Sequence, residues 1–150
     1  MSSSPTEPRG ARPSPRFDDA AARAALNRLL GKGPLDKWPK RRGDLDLLLA
    51  LACSAFERRR PYREDEVNER IAAWLARFTV SGRLDHVTIR RLMIDARWLL
   101  RDSAGAAYRL NPAKEESMPP AESPLDPGAV LIELAQQRDR RRRERDGAES

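Results

Sequence analysis

Leu84-Asp-His-Val-Thr-Ile-Arg-Arg-Leu-Met-Ile-Asp-Ala-Arg-Trp-Leu-Leu-Arg101, with Tyr108-Arg109-Leu110 shortly after it, is the stretch that decides the fold. Asp85 is the best helix cap, because its carboxylate can accept from the free amides of a first turn. Ile89, Leu92, Met93 and Ala96 follow at helical spacing and make one apolar stripe. At about 100° per residue, Arg90 and Arg97 fall on one flank with His86. Val87, Arg91 and Ile94 point outwards. Trp98 to Arg101 and Ala107 to Leu110 then read as two short strands. Gly105 supplies the left-handed backbone that the turn between them requires. Strands this short need helices beneath them.

Three more helices precede that unit. From Asp18 or Asp19, the residues Ala22, Leu26, Leu29 and Leu30 form a stripe that Gly31, Gly33 and Pro34 stop. Residues 44–56 are apolar nearly all round, with Leu45, Leu48, Leu49, Ala52 and Phe56 on one side and Leu47 and Leu51 off it, so cover on two sides is expected. Residues 64–78 place Val67, Ile71, Trp74, Leu75 and Phe78 on one face, behind Glu64, Asp65 and Glu66 in the first turn, where negative charge is favoured. The expected fold is mainly α with a small β-hairpin: a winged-helix-like three-helix core plus an N-terminal helix. Its organisation is a disordered arm over 1–16, a domain over 17–111, a Pro-rich linker over 112–128 and a basic tail over 129–150. In that tail Val130, Leu131 and Leu134 allow a short helix.

A chain of 150 residues holds one such domain plus tails. The net charge of +6, carried mostly by arginine, favours polyanions without saying which. Codon bias explains the arginine preference equally well. Cys53 is the only cysteine, which excludes an internal disulfide and a thiol-rich metal site. No apolar run is long enough to span a bilayer, and Met1 to Pro8 lacks a signal-type apolar segment. A cytoplasmic protein without membrane contact is the expectation. The lone His86 has no ligand partners at metal spacing, and Gly31-Lys32-Gly33-Pro34 lacks the pattern of a phosphate loop. No nucleophile stands beside a base. We therefore expect no enzyme, no catalytic residue, no metal and no cofactor.

A family resemblance runs through the same residues. Leu35 with Trp38-Pro39-Lys40-Arg41, Phe56 before Tyr62-Arg63-Glu64, Glu66-Val67-Asn68, Asp85-His86 with Ile89-Arg90-Arg91-Leu92, and Arg101 before Tyr108-Arg109 carry it. Over residues 26–110 the chain resembles a small bacterial domain family of unknown function, found alone or fused behind the helix-turn-helix domain of ArsR-type transcriptional regulators. The resemblance implies a winged-helix-like fold linked to transcription. Two departures stand out. Arg63 occupies a position where the family prefers a small hydroxyl residue, and Thr79 to Leu84 alters the joint between the third and fourth helices.

The leading function is a non-catalytic module binding double-stranded DNA, alone, as a homodimer, or with a transcriptional regulator as partner. Arg90, Arg91 and Arg97 then reach phosphates or base edges from the fourth helix. Arg101 and Arg109 contact flanking backbone, and the run holding Arg140 and Arg141 adds salt-sensitive attraction. The bland alternative makes Arg90 an internal brace to an acidic residue of the third helix and pairs Arg91 with Asp95. A rival function is a protein–protein interaction module on the same scaffold, with Val87 and Ile94 as contacts. RNA binding is weaker, because no exposed aromatic pair offers base stacking.

Overall fold

The computed structural model describes residues 16–104, 107–123 and 125–148. The expected arm, apart from Arg16, and the Gly105 turn lie outside those residues. Helix α1 (Asp19–Leu29) is capped by Asp18, whose carboxylate accepts from the Ala21 amide at 3.1 Å. Helix α2 (Arg42–Ala52) ends in a 3-10 turn over Cys53–Ala55. Five consecutive residues, Leu48 to Ala52, are buried, as a helix apolar on all sides requires. Burial also pushes the Cys53 thiol up to about 12, so it stays protonated and unreactive.

Helix α3 (Glu64–Ala76) and helix α4 (His86–Asp95) pack on one another, and strands β1 (Leu99–Arg101) and β2 (Tyr108–Leu110) follow directly. The hairpin is antiparallel, with Leu99 opposite Leu110, Leu100 opposite Arg109 and Arg101 opposite Tyr108. Tyr62 adds a one-residue third strand. Its amide donates to the Tyr108 carbonyl and the Tyr108 amide donates back, both at 2.8 Å. This pins the start of α3 to the hairpin and buries both tyrosines almost completely. Three helices and a hairpin in this order make the winged-helix-like core that the periodicity predicts.

The cap of α3 is solved without a hydroxyl. Glu66 reaches back to the Arg63 amide at 3.2 Å, the return half of a capping box. At the α3–α4 joint, the Leu35 amide donates to the Phe78 carbonyl (2.9 Å), and the Val80 amide donates to the Leu35 carbonyl (2.8 Å).

The described residues of the stretch expected as a linker, 112–123 and 125–128, pack against the body. Pro112–Ser117 forms a 3-10 helix, and Met118, Leu125 and Val130 are buried in the same core as α2 to α4. Met118 and Leu125 are too far apart, and too broken up by prolines, to show a period. Helix α5 (Pro127–Ala148) is also longer than the short helix expected. Its first half lies along α1, where Arg23 meets Glu133 at 3.4 Å and Arg138 donates to the Gly31 carbonyl. Gly128 sits where a Cβ would come 3.0 Å from the Arg77 Cβ, while Arg77 pairs with Asp126 at 2.6 Å. From Ala135 to Ala148 every residue is exposed.

Candidate nucleic-acid interface

Helix α4 begins as expected, the Asp85 carboxylate accepting from the Val87 amide at 3.2 Å. Ile89 and Met93 are fully buried and fix which side faces the core. The helix ends in a Schellman arrangement: the Trp98 amide donates to the Met93 carbonyl (2.8 Å) and the Arg97 amide to the Ile94 carbonyl (3.1 Å). Arg97 holds the left-handed position of that motif, at φ 67°. Glycine is the usual occupant there, since a Cβ crowds the backbone.

The expected site divides. Arg90 is an internal brace and not a displayed cation, its side chain being only 14% exposed. One guanidinium nitrogen donates to Asn68 Oδ1 at 2.5 Å, and another lies 3.4 Å from Glu64 Oε1. The same carboxylate oxygen accepts from the Tyr108 hydroxyl at 3.3 Å. Arg90 thus ties α4 to α3 and, through Glu64, to β2. The physical reason lies on α3. Glu64 and Asn68 stand four residues apart on the flank facing Arg90, and a half-buried guanidinium must be paired. That spacing was visible in the sequence as the signal for both partners.

Arg91, Arg97, Arg101 and Arg109 are exposed, and none is in an ion pair among the described residues. Asp95, one turn beyond Arg91, is exposed too and does not close the expected pair. The pleat separates the two hairpin arginines. Arg109 shares its face with Leu100, whereas Arg101 shares the opposite face with Tyr108, its guanidinium 5.8 Å from the ring centroid. Both arginines therefore cannot lie on one side of the hairpin.

Val87 and Ile94 do not form the outward apolar pair expected of them. Both are half-buried, and Ile94 packs against the core. Among the described residues the exposed large hydrophobics are Val80 and Ile132, neither of them on α4. Arg140 and Arg141 stand exposed on the outer half of α5.

Sequence reasoning did not find the clamp on the end of α4. Asn111 Nδ2 donates to the Arg97 carbonyl at 2.8 Å, and Lys114 Nζ donates to the Ala96 carbonyl at 2.5 Å. Lys114 also lies 4.5 Å from the Trp98 ring centroid. These groups satisfy carbonyls that a helix C-terminus leaves open. Among the described residues, no group of three or more His, Cys, Asp or Glu side chains could hold a metal ion. No helix there is long and apolar enough to cross a membrane.

The sequence profile of a family described as uncharacterized protein conserved in bacteria (DUF2087) matches residues 34–110, half of the chain. The match spans α2, α3, α4 and the hairpin, and stops before the 3-10 helix and α5. No curated protein and no solved structure matches this chain.

Proposed function

We propose that this chain, which belongs to the bacterial DUF2087 family, is a non-catalytic, transcription-associated module of the cytoplasm that binds double-stranded DNA. In this reading α4 enters the major groove and the β1–β2 hairpin lies against flanking backbone. The supporting observation is the exposure of Arg91 on α4 and of Arg97 just past its C-terminus, neither with a carboxylate partner among the described residues, directly before a hairpin that carries Arg101 and Arg109. Guanidinium groups so placed suit phosphate oxygens and guanine edges. Arg140 and Arg141 add sequence-independent attraction from α5.

The exposed side of α4 carries one acidic group, Asp95, close to Arg91. A single helix with this charge balance binds weakly and reads few base pairs. Tight specificity requires a second copy or a regulator partner. A protein-interaction module built on Val87 and Ile94 has less support, because neither side chain is displayed.

Anisotropy of a labelled random duplex, titrated with protein at several salt concentrations, tests the reading. Affinity should fall steeply with salt, and R91A/R97A should reduce the slope of log K against log salt by about 1 to 2. D95N should bind several-fold more tightly. An absence of binding at low salt, or variants indistinguishable from the parent, would defeat the proposal.

A further inference from the structure

A cleft of about 500 Å³ opens between α1, α2 and the segment that leaves α4. Its apolar walls include Phe17, Ala22, Ala25, Leu47, Ala50 and Ala96, a set in which small side chains leave the space and one phenyl ring supplies an aromatic contact, with the buried Trp98 behind them. The volume falls within the usual range for small-molecule sites, which are mostly apolar with a few convergent polar groups.

The polar group that matters is Lys114. It lines the cleft and is half-buried, yet no carboxylate lies within ion-pair distance of it among the described residues. Its ammonium rests on a neutral carbonyl, Ala96 O, and on the face of Trp98. An ammonium has three donors, so these contacts leave capacity for an anion. Carboxylates do line the same cleft, but two are committed. Asp18 caps α1, and Asp44 takes two hydrogen bonds from Arg28, at 2.9 and 2.8 Å. Asp46 remains, exposed, and the cleft's lining also holds the exposed cation of Arg16.

The geometry points to a binding site for a small aromatic carboxylate, its ring against Phe17 and the alanine wall and its carboxylate on Lys114. The cleft has room for roughly one or two fused rings. The site is separate from the exposed arginines of α4 and the hairpin, and it does not depend on DNA binding. A ligand held there touches Ala96, the residue that closes α4.

Calorimetric titration of the full chain with naphthoate, and with its neutral amide, tests the assignment. Naphthoate should bind at least tenfold more tightly than the amide. Lys114→Met should remove that discrimination while leaving weak binding of both. Ala25→Trp, which fills the cleft from α1 without touching Lys114, should abolish binding of both with an unchanged circular dichroism spectrum. No heat from naphthoate, equal affinities for acid and amide, or binding that survives A25W would each overturn the site. If K114M fails to fold, the acid–amide comparison and A25W still decide it.

Discussion

Arg97 is the residue at which backbone and charge can be pulled apart. It sits at φ 67°, where a side chain costs of order 1 kcal/mol, and its guanidinium extends into solvent. R97G should therefore raise unfolding stability by about 0.5–1 kcal/mol, read from urea denaturation. The same variant should weaken DNA binding, so stability and affinity move in opposite directions. A destabilised R97G would show that its side chain makes contacts the fold needs. Asp44 offers a second test. Its paired hydrogen bonds from Arg28 hold its carboxyl below the ordinary range. A depressed folded pKa stabilises above the unfolded value and loses that contribution as pH falls through the folded one. The stability gap between the parent and D44N should be full near neutrality and shrink progressively as pH falls below about 4. A gap unchanged down to about pH 3 would remove the ion pair from the account.

Between elements, Arg90 and Met118 carry the joints. R90A leaves Asn68 Oδ1 without its donor and Glu64 without its cation, and should cost about 1–3 kcal/mol, read from thermal unfolding. Met118 lies beyond the residues that match the family, yet is 2% exposed. M118A should cost about 2–4 kcal/mol in chemical denaturation. A loss well under 1 kcal/mol would mean that the segment after β2 does not share the core. These two residues also mark how far the elements were legible. Helices α2 to α4 and the hairpin followed from stripes such as Ile89 with Met93, because each element shows its own period. The brace on Arg90 to an acidic residue of α3 was legible as an alternative to display, but periodicity tells only which flank a residue occupies, not what packs there. Met118 and Leu125 were missed because isolated apolar residues among prolines have no period. Val87 and Ile94 were placed outwards by the helical wheel, but the wheel ignores what leans over an element's edge.

As a whole molecule, the protein is a winged-helix-like core with α1 and α5 laid together beside it. Helix α5 runs on past Arg138 as about 15 Å of solvent-exposed, arginine-rich helix. Exposed arginines thus stand both on that helix and on the α4–hairpin face. A bulk measurement of DNA affinity mixes the two, so a residue-resolved one is needed. Amide chemical-shift mapping of the isotope-labelled chain, titrated with a short duplex at low salt, tests the central claim most directly. The account predicts the earliest and largest shifts at residues 86–101 and 108–110, with smaller ones along the outer half of α5 and little change on α2. Shifts confined to α5, or none at saturating duplex, would contradict it.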